Sequence, residues 1–436
     1  MRRALRLSVI ALIALVLYPA PARLCAQTPA SSGSSSAGSD ASLWQDHVAS
    51  LASASFRERQ RAFDALLEGG VDAVPAVVGA AVSADAETRA RAIVLLQRLP
   101  DLRNRAATRL ARKLLQERAS AGRGPEARLA ERALLNLREG WTQYAIDQIQ
   151  LHGGTVQHNS AAAGGGFQVR LAERWLGGSQ RLDLLLELEP IRWLSIEKST
   201  VDDEGLALIG QLTELRKLYL GRSPLTGAGL EQLAPLQQLD YLSLKELPVD
   251  DRELLQLPEF PRLTALGLDQ THITDAGLAH LRKFPQLQTL WLDNTHITDA
   301  GLSHMQPLGS LRVLYLQGIE VKGDGFSNLT DLADLQYLSL KGAKLQPDSL
   351  QHLGKLKQLQ TLGLDHTNVT DSQIAELTGL ENLRVLWLSK TQVTDAGVEH
   401  LTRLPLLTTL YLHGAQVTAE GAKSIRNVKP QAQVYR

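Results

Sequence analysis

The aspartates with the most suggestive spacing are Asp269 and Asp293, which lie 24 residues apart. Asp365 occupies the same position of this pattern further along. If positions 24 apart come together in space, Asp269 and Asp293 could approach the roughly 5–5.5 Å separation of a retaining glycosidase pair. With Asn294 they could alternatively offer oxygen ligands to Ca²⁺. Any polar column in a repetitive chain has this spacing, so we predict neither a catalytic pair nor a metal site.

Histidines recur with the same spacing, as His272 and His280 and again as His296 and His304. The first of each pair precedes a turn and the second falls on a predicted helix, so the pair points to different faces and does not form a zinc site. Nucleophile-elbow, Walker-loop and H-E-x-x-H motifs are all absent. We therefore expect no catalytic residue, no metal and no cofactor, and the protein is predicted not to be an enzyme.

Large aromatic residues recur between pairs of leucines two positions apart. In chain order this position reads Tyr, Ser, Gly, Trp twice, and a third copy begins with Tyr, which indicates that a block of four repeats was duplicated. Trp291 is predicted to lie beside Tyr315, and Trp387 beside Tyr411, as two exposed aromatic pairs separated by a hollow of Ser and Gly. Exposed aromatic side chains with small neighbours are typical of recognition surfaces. The alternative is that duplication copied these residues and that they only stack across strands.

The elements that carry these residues follow from a 24-residue period of aliphatic residues that runs from Leu194 to Val434. The best-kept copy reads L-x-x-L-x-L-x-x-T-x-I-T-D-A-G-L. Leucines two apart predict a short strand, and the later spacing of three predicts a helix. Thr and Asp between them, as at Thr274-Asp275, are N-cap residues. Threonines recur where the chain leaves each strand, and their hydroxyls are expected to form hydrogen bonds with backbone groups of the turn. They are Thr271, Thr295, Thr367 and Thr391.

This repeated sequence resembles leucine-rich repeats, specifically the I-T-D-x-G-L subclass familiar from the substrate receptors of F-box proteins and from exported bacterial proteins. The resemblance implies an α/β fold, a right-handed solenoid with a parallel concave sheet and convex helices, used for recognition. About ten repeats are expected over residues 191–436. Residues 152–190 are expected to form a Gly-rich loop and an atypical first repeat, with Val169 and Leu171 in its strand. No F-box segment is found, so ubiquitin ligation is not implied.

The first half of the chain has a helical pattern over residues 44–151. The triplet Arg61-Ala62-Phe63 recurs thirty residues later as Arg91-Ala92-Ile93, which resembles short HEAT-type repeats. Basic residues between Arg98 and Arg118 could form an anionic docking stripe, although such a run is more often a solvated helix face. The fold class is thus an all-α HEAT-like region followed by a leucine-rich repeat solenoid.

The N-terminus carries the pattern of a signal peptide over residues 1–26, with arginines before the apolar run from Leu7 to Leu17. Residues 27–43 are rich in Ser, Gly and Ala and are predicted to be a disordered tether. Cleavage after Ala26 would leave a chain without cysteine, since Cys25 is the only one. A lipid anchor at Cys25 is the alternative, but Leu24 stands where lipoproteins normally need a small residue. The expected location is the periplasm, the cell surface or the exterior, with no transmembrane segment in the mature chain.

The function expected from these observations is non-enzymatic binding of a protein or peptide on the concave face. Removal of Arg2, Arg3, Arg6 and Arg23 from a chain of formal charge zero leaves about −4, so nucleic acid is not expected as a partner. Glycan binding, with or without hydrolysis, and a purely structural role in the envelope are the alternatives. The residues expected to contact the ligand are Tyr219, Tyr241, Asp269, Trp291, Asp293, Tyr315, Tyr337, Asp365, Trp387 and Tyr411.

Overall fold

The computed structural model describes residues 39–98, 105–121, 124–159 and 165–436. These residues form two compact units, one up to Ala130 and one from Glu131 to Arg436. The predicted signal peptide, Cys25 and most of the predicted tether lie outside the described residues. The first helix of the described residues begins at Ser39, so the last residues of the segment expected to be a tether are helical.

The first unit is all-helical, which confirms the predicted class of this region. The helix Gly70–Ala81 is its centre, because apolar residues around most of its circumference are buried and it packs against Ala86–Arg98 and Arg105–Ser120. In the basic run, Lys113 and Arg118 pair with Glu117 and Glu126, as expected for a solvated helix face. The helices up to the start of the sheet are Ser39–Ser50, Phe56–Glu68, Gly70–Ala81, Ala86–Arg98, Arg105–Ser120 and Pro125–Leu151.

The described residues of the second unit form a sheet of thirteen strands in sequence order, parallel from the second strand onward. The first two strands pair antiparallel, so part of the segment expected to be a Gly-rich loop is a hairpin strand. The strands are β1 (Thr155–Asn159), β2 (Gly166–Arg170), β3 (Ile191–Ser195), β4 (Lys217–Tyr219), β5 (Tyr241–Ser243), β6 (Ala265–Gly267), β7 (Thr289–Trp291), β8 (Val313–Tyr315), β9 (Tyr337–Ser339), β10 (Thr361–Gly363), β11 (Val385–Trp387), β12 (Thr409–Tyr411) and β13 (Gln433–Tyr435).

The register of the sheet follows the 24-residue period of the sequence. Leu290 pairs with Leu266 on one side and Leu314 on the other, and all three are fully buried. Each such side chain contributes about 1.5–3 kcal/mol on burial, and one continuous core extends from Ala145 and Ile149 to Val434. The leucine-rich repeat solenoid predicted from the sequence is therefore confirmed.

The outer side of each repeat is a short helix. Where the predicted α-helix is absent, a tighter 3₁₀-helix takes its place, as is common for helical segments this short. The α-helices are Asp203–Ile209, Asp251–Gln256, Asp275–Leu278, Asp371–Glu376, Asp395–Leu401 and Ala419–Val428. The 3₁₀-helices are Ser179–Glu187, Gly227–Leu233, Ala279–Lys283, Gly301–Met305, Phe326–Asp331, Ser349–Gln351, Leu353–Lys355 and Leu377–Gly379.

The threonine column satisfies turn carbonyls, as the sequence predicted. Thr271 Oγ1 donates to the carbonyl of Leu268 at 2.6 Å, and Thr295 Oγ1 donates to that of Leu292 at 2.7 Å. Both threonines are buried. A buried carbonyl without a partner costs free energy, so these hydroxyls stabilise the place where each strand ends.

In the Thr-Asp dipeptide only the threonine caps its own helix, so the prediction was wrong for the aspartate. Thr274 caps its own helix by accepting from the amide of Ala276, as expected. Asp275 instead contacts the next repeat, where its Oδ1 accepts from the Thr298 amide at 2.8 Å and its Oδ2 accepts from the Thr298 hydroxyl at 2.6 Å. The same Asp–Thr clamp joins Asp203 to Thr226, Asp251 to Thr274, Asp371 to Thr394 and Asp395 to Thr418.

Candidate functional site

The open face of the sheet carries the residues on either side of the buried central leucine of each strand. Side chains alternate between the two faces of a strand, so Leu290 faces the core while Thr289 and Trp291 face away from it. This pattern holds from β4 to β12, where each central leucine is fully buried. Two columns of side chains therefore cover the open face, one before the leucine and one after it.

Nine aromatic rings on this face form one continuous row, which we call the aromatic ladder. Every ring is in contact with the next, with centroids 4.5–6.1 Å apart. All nine are partly exposed. In chain order the rings are Trp193, Tyr219, Tyr241, Trp291, Tyr315, Tyr337, Trp387, Tyr411 and Tyr435.

The two predicted aromatic pairs are present. Trp291 and Tyr315 stack at 5.9 Å with an interplanar angle of 13°, and Trp387 meets Tyr411 at 6.1 Å with an angle of 61°. Aromatic pairs at such separations are worth about 0.5–1.5 kcal/mol beyond their burial. Both pairs also belong to the longer ladder.

The prediction of a hollow between the pairs is wrong. Tyr337 fills it, lying 4.7 Å from Tyr315 and 5.9 Å from Trp387. Tyr241 fills the equivalent place in the first block, 4.5 Å from Tyr219 and 5.8 Å from Trp291. The reason is strand parity, since the residue two positions before each serine faces the same side as that serine. Ser243 and Ser339 are 4% and 5% exposed, so the small residues lie beneath the rings rather than open to solvent.

Trp193 and Tyr435 extend the ladder at its ends, and sequence reasoning missed both. Trp193 precedes the central leucine of β3 and contacts Tyr219 at 5.3 Å, while Tyr435 follows the central valine of β13 and stacks on Tyr411 at 4.9 Å. Trp193 lies in the column before the central leucine, which a search along the column after it does not cover, and Tyr435 lies one repeat beyond Tyr411 in the searched column. Both residues could have been found by searching the positions on either side of each central aliphatic residue for aromatic side chains.

The three aspartates lie just beyond the strands and bind the backbone of the next repeat. Asp293 accepts from the Gln317 amide at 2.7 Å, and Asp365 accepts from the Ser389 amide at 2.8 Å. Asp269 accepts from the amide of Asp293 at 3.3 Å. These contacts continue the pairing of the sheet past its last residues, so the aspartates have a structural role whatever else they contact.

Burial and charge repulsion shift the acidity of two of these carboxyls. Burial, followed by the neighbouring Asp293, raises the pKa of Asp269 to about 6. Burial also raises the pKa of Asp293, against the amide of Gln317 and the ammonium groups of Lys245 and Lys341. Burial and the nearby Tyr219 raise the pKa of Tyr241 above its ordinary value. This edge of the ladder therefore combines partly desolvated carboxyls with two lysines.

The histidines lie away from the aromatic ladder. His272 and His296 are exposed in adjacent repeats, with ring centroids 6.4 Å apart. Within the described ranges, no group of three or more His, Cys, Asp or Glu residues is arranged to hold a metal ion. None of the described helices is long and apolar enough to cross a bilayer.

Comparisons with known proteins give structural likenesses only. No family model matches the sequence, and no curated protein matches it. Among solved structures, an internalin (InlF) from Listeria monocytogenes aligns with 22% identity over 58% of this chain and 69% of that chain, with a TM-score of 0.46.

Two further structures are similar at the same level. Internalin C2 from Listeria monocytogenes aligns with 26% identity over 53% of this chain and 83% of that one, with a TM-score of 0.33. The mouse RP105/MD-1 complex aligns with 20% identity over 57% of this chain and 42% of that one, with a TM-score of 0.41. Since each TM-score is below 0.5, the fold assignment rests on the repeat and its strand register.

Proposed function

We propose that the chain is a non-enzymatic binding scaffold that holds a protein or peptide on the open face of its sheet. The observation that carries this proposal is the aromatic ladder, a row of nine touching rings that all keep part of their surface exposed. A contiguous aromatic surface in water is costly unless a partner covers it. Tyr and Trp also supply much of the binding energy in protein interfaces.

The ends of the ring side chains are suited to a peptide. In three pairs the rings stack at 30° or less, namely Tyr219 on Tyr241, Trp291 on Tyr315 and Tyr411 on Tyr435. Faces turned toward one another are not free to stack on a sugar ring, whereas ring edges and hydroxyls remain available to apolar side chains and amides. These stacked pairs favour a polypeptide over the alternative glycan ligand.

The polar edge of the ladder supports the same choice. Asp269, Asp293 and Asp365 supply acceptors just beyond the strands, and Lys245 and Lys341, whose charges act on Asp293, supply donors. A mixed row of this kind can bind the amides and charged side chains of a peptide and fix its direction. We propose these aspartates as orienting groups beside the aromatic anchors.

The proposed location is outside the cytoplasm, in the envelope or beyond it. This part of the proposal is supported by the arginine-led apolar segment within residues 1–26. It is tested by expressing the full chain and sequencing the N-terminus of the exported product. A mature start after Ala26 is expected, and an intact N-terminus in the cytoplasm would contradict it.

Binding is tested with a display library of random twelve-residue peptides and, in parallel, a glycan array. The wild-type chain is compared with the Trp291→Ala/Trp387→Ala double variant and with Leu255→Ala, whose side chain is 58% exposed on an outer helix. We expect peptide enrichment with wild type and with Leu255→Ala, and its loss with the double variant.

Thermal unfolding of each variant ensures that only folded protein is compared. Enrichment of glycans in place of peptides would move the assignment to the alternative ligand. Equal peptide enrichment by wild type and the double variant would exclude the aromatic ladder as the binding surface.

A further inference from the structure

We propose that the aromatic ladder contains two equivalent subsites, which bind two equivalent segments of one extended polypeptide. The first subsite consists of Tyr219, Tyr241 and Trp291 with Lys245 and Asp269. The second consists of Tyr315, Tyr337 and Trp387 with Lys341 and Asp365. This inference rests on the proposed function and adds the repetitive character of the partner.

The rings of the two subsites have nearly the same centroid spacing. Tyr219 and Tyr241 are 4.5 Å apart, and Tyr315 and Tyr337 are 4.7 Å apart. The following step to tryptophan measures 5.8 Å in the first subsite and 5.9 Å in the second. Stacking alone does not require this agreement, because other neighbouring rings of the ladder meet at different distances, 5.3 Å for Trp193 and Tyr219 and 4.9 Å for Tyr411 and Tyr435.

The polar parts are copied as well. Lys245 and Lys341 hold the same position beyond the strand, two residues after the buried serine that ends β5 or β9. Asp269 and Asp365 hold the same position one repeat later, and each follows the sequence Leu-Gly-Leu. Each subsite thus offers three rings, an ammonium and a carboxylate in the same order along the sheet.

The subsites differ at several charged positions. Lys217, Glu246 and Asp293 in or beside the first subsite correspond to Val313, Gly342 and Ser389 in the second. Asp293 also acts on the second subsite, because its charge helps to raise the pKa of Tyr337 and it is attracted by Lys341. These differences change the charges around the copied rings but leave the lysine and the aspartate of each subsite in place.

The distance between the subsites sets the period of the partner. Equivalent residues are four strands apart, which at about 4.8 Å per strand is roughly 19 Å. An extended chain advances about 3.3 Å per residue, so equivalent residues of the partner should lie about six positions apart. No described strand projects between the subsites, since Trp291 contacts Tyr315 directly across them. One chain running along the ladder can therefore reach both.

Charge and surface type define the segment that each subsite accepts. The rings favour a proline or an aromatic side chain, which bring apolar area at little entropic cost. The carboxylate at the end of each subsite favours a lysine or arginine nearby. The expected partner is a polypeptide in which an apolar and a basic residue recur every six positions.

The experiment uses peptides enriched on the full chain from the twelve-residue library. The shortest binding segment is synthesised once, as a single unit, and twice in tandem with equivalent residues six positions apart. A tandem peptide with a spacing of three residues is the control, because it spans at most about 10 Å and cannot bridge the subsites. Stoichiometry and affinity are measured by calorimetry.

We expect two single units per wild-type chain and one per chain in each of Trp291→Ala and Trp387→Ala. The six-spaced tandem should bind one to one and roughly 10²–10⁴-fold more tightly than the single unit, and the three-spaced tandem should show no such gain. If a tryptophan variant does not fold, Gly363→Ala disturbs the second subsite while all rings remain.

One single unit per wild-type chain, or equal affinities of the two tandems, would overturn the two-subsite proposal but leave peptide binding intact. Failure to enrich any peptide would instead contradict the proposed function itself, and the two-subsite proposal with it.

Discussion

The rings of Tyr337 and Trp387 meet at 5.9 Å with an interplanar angle of 72°, although a whole strand separates the strands that carry them. The residue between them on the open face is Gly363, which is buried. A Cβ at this glycine would lie 3.1 Å from Cε3 of Trp387. The tryptophan ring therefore covers the glycine and reaches the tyrosine beyond it, so the continuity of the aromatic ladder depends on a position without a side chain.

Gly363→Ala should displace the Trp387 ring without removing any aromatic residue. An atom at 3.1 Å is closer than ordinary van der Waals contact, so the ring must move away and its contact with Tyr337 weakens. The measurement is ¹⁹F NMR of the chain labelled with 5-fluorotryptophan, with Trp387 assigned by Trp387→Phe. We expect its resonance to shift while that of Trp291 stays. Gly309→Ala is the control, because nothing lies within 4 Å of its added Cβ, and an unmoved Trp387 signal in Gly363→Ala would refute the ring arrangement.

Asp275→Ala should destabilise the repeat unit, because it removes two charge-assisted hydrogen bonds to Thr298 in the next repeat. We expect a loss of roughly 2–4 kcal/mol in the free energy of unfolding, since the Thr298 amide is left without its partner. Denaturant unfolding measures the loss. The same change at Asp324, which is exposed, should cost less than about 0.5 kcal/mol; equal effects at the two positions would show that the clamp contributes nothing.

Gly277→Ala should disturb the same type of clamp from the other side. Its Cβ would lie 2.3 Å from Oδ1 of Asp251, the atom that accepts from the Thr274 amide at 2.8 Å. The carboxylate must leave this position, and we expect a loss of about 2 kcal/mol. A melting curve compared with that of Gly309→Ala tests this, since alanine at a position with open space should be neutral. A melting temperature of Gly277→Ala at or above that of wild type would contradict the packing of glycine against aspartate.

Asp269→Asn should stabilise the chain at neutral pH but not in acid. The pKa of Asp269 is raised to about 6, above its value of about 3.9 in an unfolded chain. Between these values the folded state holds more protons than the unfolded state, so this carboxyl lowers stability as the pH rises. Asparagine keeps an acceptor for the Asp293 amide and carries no charge.

The difference in unfolding free energy between Asp269→Asn and wild type should therefore grow from about pH 4 to about pH 6 and then stay constant. Chemical denaturation at several pH values measures it. Asp324→Asn, at an exposed site, is the control. A difference that is independent of pH, or that shrinks toward neutrality, would count against the raised pKa.

The sequence alone was sufficient to predict the repeat, the register of its strands and the residues of its core. An aliphatic residue every 24 positions can be buried only if successive repeats stack in register, and Leu266, Leu290 and Leu314 pair accordingly. The threonine column was also predictable, because Thr271 and Thr295 bond to carbonyls only three residues away. Local geometry and burial determine both features, so neither requires knowledge of distant contacts.

The tertiary structure decided which side chains meet between repeats. Asp275 could have capped its own helix but binds Thr298, because stacking brings the next turn within hydrogen-bond distance of both carboxylate oxygens. Trp387 could have left a hollow above Gly363 but contacts Tyr337 across it. Long side chains can lean over one or two strands, and their direction depends on the space that neighbouring repeats leave. The period of the sequence determines where each residue is placed, and packing between repeats determines what it touches.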